Sequence, residues 1–179
     1  MGDDEFERIA ELMVDRNAID REIAAIIQRP MTAGHLGEWI ASRIFDIELE
    51  GSATNTAFDG RFRVGPLQGR TVNVKWYLKE EGVLDTSSSA TLDYYLVLTG
   101  PRSAAGSSRA GTRPWCVRAV YLFGAKRLRD EQDSRGVKTG VASSLIRRQW
   151  DEAEIYPQGR NPLLRVSPQQ AELLELLAG

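Results

Sequence analysis

The stretch TVNVKWYL, residues 71–78, alternates apolar and polar side chains along its length. Val72 and Val74 fall on one side of an extended chain, and Asn73 and Lys75 fall on the other. This period of two predicts a β-strand with one face in a hydrophobic core. A lysine inside such a strand has two explanations, an edge position that discourages aggregation or a role in a functional site.

The sequence on both sides of this strand contains further strand patterns. AFDGRFRV, residues 57–64, alternates in the same way, and the connection GPLQGR, 65–70, contains two glycines. These two strands and their short connection predict a β-hairpin. Two later runs, DYYLVLTG at 93–100 and WCVRAVYLF at 115–123, are predicted to be strands of the same sheet.

Helical periodicity surrounds the strands. Asn17 is a candidate cap between two N-terminal helices, and Thr32 is a candidate cap for the next helix. The predicted helical segments are residues 3–16, 17–28, 33–45, 125–133, 141–154 and 168–178. This order predicts an α/β or α+β domain over 31–179, with a mixed central β-sheet flanked by helices, preceded by a helical extension over 1–30.

The composition excludes several classes of protein. The chain has 179 residues, a net charge of -2 and a single cysteine, Cys116, so that no intramolecular disulfide can form. No apolar run reaches the length of a membrane span, and the acidic start MGDDEFER does not resemble a signal peptide. We therefore expect a cytoplasmic protein that has no membrane partner.

The charges are unevenly distributed. Residues 1–50 carry a net charge of -7, whereas residues 100–150 carry +8. A basic stretch of this kind is typical of a surface that faces a polyanion, although an ordinary solvated surface has the same composition. If DNA is the ligand, the residues expected to contact its backbone are Arg102, Arg109, Arg113, Lys126, Arg127 and Arg129.

Four polar residues are candidates for one site. A strongly twisted hairpin would bring Asp59 towards Asn73 and Lys75, and Glu38 on the preceding helix could point to the same place. Mg²⁺ and Mn²⁺ prefer oxygen ligands, which the Asp59 carboxylate, the Asn73 side chain and the Val74 carbonyl would supply. Lys75 would hold or deprotonate a water and steady the charge of a phosphate. This set therefore points to metal-assisted hydrolysis of a phosphodiester.

Each of these residues also has a structural explanation. Lys75 is typical of an edge strand. Asp59 precedes a glycine, as turn residues often do. Glu38 is typical of an exposed helix position with Arg43 as its partner.

Glu38, the sequence FDG with Asp59, and the sequence VNVK with Lys75 resemble the PD-(D/E)xK nuclease superfamily, which has the restriction-endonuclease-like fold. The resemblance spans roughly residues 31–125, because the later strands follow in the same order. It implies that Lys75, Asp59 and Glu38 are catalytic, that Asp59, Asn73 and Glu38 bind Mg²⁺ or Mn²⁺, and that the substrate is DNA. Many relatives cleave duplex DNA as pairs, so the resemblance also implies a homodimer.

The sequence departs from the superfamily pattern at two positions. Phe58 stands where a proline is common, and Asn73 stands where an acid is usual. Methylation-dependent restriction nucleases resemble this chain in carrying an amide, a glutamine, at the second position. Two other functions stay open, namely a decayed nuclease-fold module that binds nucleic acid or a protein partner without cleavage, and a structural subunit.

Overall fold

The computed structural model describes residues 3–51, 57–102 and 113–179. The helices in the described parts are α1 (Asp3–Ile27), α2 (Ala33–Ile44), α3 (Ala125–Ser134), α4 (Arg147–Ala153) and α5 (Pro168–Leu176). The strands are β1 (Ile47–Leu49), β2 (Gly60–Phe62), β3 (Thr71–Tyr77), β4 (Val83–Leu84), β5 (Tyr94–Thr99), β6 (Ala119–Gly124), β7 (Ser143–Ser144) and β8 (Glu154–Tyr156).

Six of the strands form one mixed sheet in the order β1-β2-β3-β5-β6-β8. The central strands β3 and β5 are parallel, and all other neighbours in this sheet are antiparallel. Strands β4 and β7 pair separately as a small antiparallel sheet. The structure therefore confirms the predicted α+β class, a mixed sheet flanked by helices.

Hydrophobic cores lie on both faces of the large sheet. On one face α2 and α5 pack against Val72, Val74 and Trp76 of β3. On the other face α3 and α4 contribute Leu128 and Trp150 to a second core. The side chains of β3 alternate between buried and half-buried from Val72 to Tyr77, as the period of two predicts.

The predicted hairpin is present, but its first strand is shorter than expected. Gly60 pairs with Val72 and Arg61 pairs with Thr71, and the two strands then separate. Asp59, which immediately precedes β2, donates its backbone N–H to the Val72 carbonyl at 2.9 Å. Asp59 therefore lies beside β3, next to the strand's first residues.

The N-terminal helix differs from the prediction of two helices. Asn17 lies inside α1, because no glycine or proline interrupts the chain there and Arg16 pairs with Asp20 across one turn at 3.3 Å. The end of the predicted extension, at residues 30 and 31, falls in the connection between α1 and α2. Among the described helices, α1 included, we find none with the length and apolar character of a transmembrane helix.

Candidate functional site

Helix α2 carries Glu38 close to β3. Gly37 permits this close approach, because a Cβ atom at this position would lie only 3.0 Å from the Cβ of Trp76. The side chain of Glu38 is 18% exposed, and its carboxylate forms an ion pair with the guanidinium of Arg29. Arg29 precedes α2 and was not among the predicted site residues.

Asp59 stands where β2 leaves β3. Its Oδ2 atom accepts a hydrogen bond from the backbone N–H of Val74 at 2.7 Å. The carboxylate thus satisfies a backbone donor of β3 that the departing strand no longer reaches. This contact fixes the orientation of Asp59 and leaves its second oxygen without a hydrogen bond to any described residue. The Val74 carbonyl, predicted as a neutral ligand, lies on the same edge of the extended strand as this N–H, and its role as a ligand stays a prediction.

The environment of Asp59 opposes its negative charge. Burial is the main cause that raises the pKa of this carboxyl, and the nearby Glu38 carboxylate raises it further. The Val74 N–H, Lys75 and Arg29 act in the opposite direction. Asp59 is therefore a half-buried carboxylate with a second carboxylate and two cationic groups in its electrostatic neighbourhood.

Asn73 and Lys75 lie next to Asp59 along β3. The Asn73 side-chain oxygen is buried, and it has no hydrogen-bond partner within the described part of the chain. Lys75 is half-buried, and among the described residues it makes no hydrogen bond or ion pair. β2 pairs with β3 only at Thr71 and Val72, so at Lys75 the strand is bonded to β5 alone and is locally an edge, as the edge-strand explanation of this lysine requires.

Two tyrosines of the same sheet face hold a loop beside the site. Tyr77 and Tyr95 accept hydrogen bonds through their hydroxyls from the backbone N–H groups of Asp85 and Ser87, at 2.9 Å and 2.7 Å. Burial raises the pKa of Tyr77 well above its ordinary value. Tyr95 is paired with Asn73 in the β3–β5 ladder, so the anchored loop lies close to the amide.

The structure therefore brings Glu38 of α2, Asp59 immediately before β2, and Lys75 of β3 into one electrostatic neighbourhood, and Asn73 lies on the same face of β3 as Lys75. Arg29 was not predicted to belong to the site. It lies in the short connection before the helix that carries Glu38, and its proximity to that helix was the one available indication, because an arginine in a connection forms no sequence pattern.

The predicted nucleic-acid contacts are mostly engaged with the protein itself. Arg109 lies outside the described residues. The other five contact acidic side chains or a carbonyl, with these pairings: Arg102 with Glu80 at 3.6 Å, Arg113 with Glu81 at 3.1 Å, Lys126 with Asp130 at 2.6 Å, Arg127 with Glu131 at 3.0 Å and with Glu152, and Arg129 with the Ser88 carbonyl at 2.9 Å. Arg102, Arg113, Lys126 and Arg127 are exposed and Arg129 is half-buried, so the pairs with exposed carboxylates compete with solvent and are weak, whereas Glu80, the partner of Arg102, is only 5% exposed.

No family model matches the sequence, and no curated protein is significantly similar to it. The described residues also hold no cluster of three or more His, Cys, Asp or Glu side chains arranged for a metal ion. Any metal site here has two carboxylates, Glu38 and Asp59, and must be completed by other oxygen atoms.

Proposed function

We propose that this protein is a divalent-metal-dependent nuclease that hydrolyses phosphodiester bonds in DNA. The observation that carries the proposal is that Asp59 is half-buried where β2 leaves β3, with Glu38 and Lys75 in its electrostatic neighbourhood. Partial burial of two carboxylates and a lysine at one place is unusual, because charged groups lose hydration there. The lysine also has no ion-pair partner among the described residues. These three groups suit a site that must bind a cation and an anionic substrate together.

The donor atoms fit a hard cation such as Mg²⁺ or Mn²⁺. Asp59 and Glu38 are the charged ligands in this proposal, and the Asn73 side-chain oxygen is the neutral one. This oxygen is buried and lacks a hydrogen-bond partner among the described residues, which is costly for a polar atom unless something else binds it. A metal ligand role accounts for that cost.

The residues of the chain divide the remaining work. A bound divalent ion would supply Lewis-acid polarisation of a phosphate oxygen. The Val74 N–H holds Asp59 in one orientation. The Lys75 ammonium holds the attacking water and steadies the negative charge of the phosphate, for which it needs a position free of other carboxylate partners.

The resemblance to the PD-(D/E)xK superfamily supports the same activity. On that basis we also propose that two copies cooperate on duplex DNA, and from the single cysteine we propose that the protein acts in the cytoplasm. The surface cations named above would contact the DNA backbone by exchanging their intramolecular carboxylates for phosphates.

The test is nicking of supercoiled plasmid in MgCl₂ and in MnCl₂ by the wild type and by Lys75→Ala. Lys138→Ala is the matched control, because it removes an exposed lysine elsewhere on the surface. We expect the wild type and the control to nick plasmid, and Lys75→Ala to lose at least about a hundredfold of that rate. Equal rates for the wild type and Lys75→Ala would contradict the proposal.

A second function is favoured by the neutral Asn73 and by the ion pair between Arg29 and Glu38, which satisfies one of the two carboxylates without a metal. In this alternative the domain binds nucleic acid or a protein partner and does not cleave. It predicts binding of duplex DNA in EDTA that weakens steeply with salt, and no nicking by any variant.

A further inference from the structure

Among the described residues, Arg29 is the one side chain outside the predicted set that contacts either of the two carboxylates. Its guanidinium pairs with Glu38, and its charge also lowers the pKa of Asp59. Arg29 is 43% exposed, so its side chain reaches in from solvent and is not part of a core. It therefore stands at the mouth of the site.

The backbone around Arg29 is held in place from both sides. Ile27, at the end of α1, is 7% exposed and anchors the chain before it. After it, the Pro30 carbonyl lies 2.7 Å from Nδ1 of His35, and Thr32 caps α2 by accepting from the His35 N–H at 3.1 Å. With the chain anchored on both sides, the simplest change of the contact with Glu38 is a rotation of the Arg29 side chain.

Arg29 and the proposed divalent ion compete for the same carboxylate, that of Glu38. Glu38 is engaged by Arg29, whereas the proposed function needs its carboxylate for a divalent ion. An arginine fork binds carboxylate and phosphate groups with the same geometry. Once it is released from Glu38, Arg29 would therefore face a substrate phosphate with an unpaired charge.

We propose that Arg29 is a positioning residue that exchanges partners, pairing with Glu38 before the metal binds and with the phosphodiester afterwards. This inference rests on the proposed nuclease function. In the absence of DNA, Arg29 weakens metal binding because it occupies Glu38. Once the metal is present, Arg29 contacts the substrate and strengthens its binding. Metal and DNA then bind cooperatively, since each removes the partner that the other must displace.

The experiment measures Mn²⁺ binding without DNA by isothermal titration calorimetry, for the wild type, Arg29→Gln and Asp59→Asn. Arg21→Gln is the matched control, because it removes an exposed positive charge from α1, earlier in the chain than Arg29. Arg29→Lys retains the charge but loses the fork. We expect Arg29→Gln to bind Mn²⁺ about three- to tenfold more tightly than the wild type, Arg29→Lys to lie between them, and Arg21→Gln to match the wild type.

The second measurement is the affinity for a short DNA duplex with Ca²⁺ in place of Mn²⁺. Here we expect Arg29→Gln to bind DNA about three- to tenfold more weakly than the wild type, the opposite direction to its effect on the metal. A purely structural role would move both affinities in one direction.

The outcomes separate the two proposals. If the wild type binds Mn²⁺, Asp59→Asn does not, and Arg29→Gln equals the wild type, the exchange of partners is wrong and the metal site stands. If Mn²⁺ binding is found only in Arg29→Gln, Arg29 opposes metal binding more strongly than proposed and the inference is supported. If neither protein binds Mn²⁺, both the inference and the nuclease function are overturned.

Discussion

Among the individual residues, Asn73 matters most to the proposed metal site. It supplies a neutral oxygen next to Asp59, where a second acid would supply a charge, and that oxygen has no other partner among the described residues. The apo protein gains from the neutral side chain, because Glu38 and burial already oppose the charge of Asp59. The expected consequence is a site that is stable without metal and binds metal weakly.

We predict that Asn73→Asp reverses this balance. Without metal, a third carboxylate should lower the melting temperature, because it adds like charge to a half-buried site. With MnCl₂ the variant should bind roughly tenfold more tightly than the wild type, since a charged ligand replaces a neutral one. Thermal unfolding with and without MnCl₂ measures both effects, because metal bound to the folded state raises the midpoint.

Asn73→Ala is the control for this measurement, since it removes the ligand atom without adding charge. An equal MnCl₂ shift in all three proteins would show that residue 73 does not face the metal.

At the scale of the elements, the site depends on the place where β2 leaves β3. Gly60, directly after Asp59, is the position at which β1, β2 and β3 approach most closely beside this place. Gly60 pairs with Leu49 of β1 on one side and with Val72 of β3 on the other. A Cβ atom at Gly60 would lie 2.5 Å from the Glu48 carbonyl oxygen, far inside van der Waals contact. Only glycine lets the three strands come together directly beside the carboxylate.

We predict that Gly60→Ala lowers the free energy of unfolding by about 1–3 kcal/mol, because the backbone of β1 must move to accept the methyl group. Urea unfolding measures the change. Gly34→Ala is the control, since a Cβ at this helical position meets nothing closer than the Thr32 hydroxyl at 3.9 Å. This second substitution should be neutral or slightly stabilising, because alanine favours a helix over glycine. A Gly60→Ala protein as stable as the wild type would contradict the packing described here.

At the scale of the whole molecule, the sheet and its two cores form the body of the protein, and much of α1 extends beyond it. The described side chains from residue 4 to residue 17 are all exposed, and they include Phe6 at 77% and Met13 at 60%. The buried contact of this helix is at its other end, at Ile27. The first part of α1 therefore contributes little to the stability of the domain.

We predict that deletion of residues 2–14 changes the free energy of unfolding by no more than about 1 kcal/mol, because no buried apolar surface is lost. Urea unfolding, together with sedimentation to determine the mass in solution, tests this. A loss of more than about 2 kcal/mol, or a change in oligomeric state, would show that this part of the helix is covered in solution, as the proposed homodimer allows.

The alternation from Val72 to Tyr77, the hairpin, the Thr32 cap and the order of the main strands could all be predicted from the sequence, because they depend on local periodicity and capping. The strands β1 and β8 could not. Each has three residues, too few for a pattern to emerge, and each exists only because a neighbouring strand offers it a ladder. The parallel pairing of β3 with β5 could not be predicted either, because it joins segments through a long connection.

The sequence by itself determined which residue types were available to the site, namely Glu38, Asp59, Asn73 and Lys75. Only the tertiary structure decided how they meet. The early departure of β2 turns the Asp59 carboxylate to the Val74 N–H, and the close packing of α2 on Trp76 brings Glu38 and Arg29 to the same place. These contacts join residues 9 to 39 positions apart, and no local pattern encodes them, because they depend on how two elements pack and not on either sequence alone.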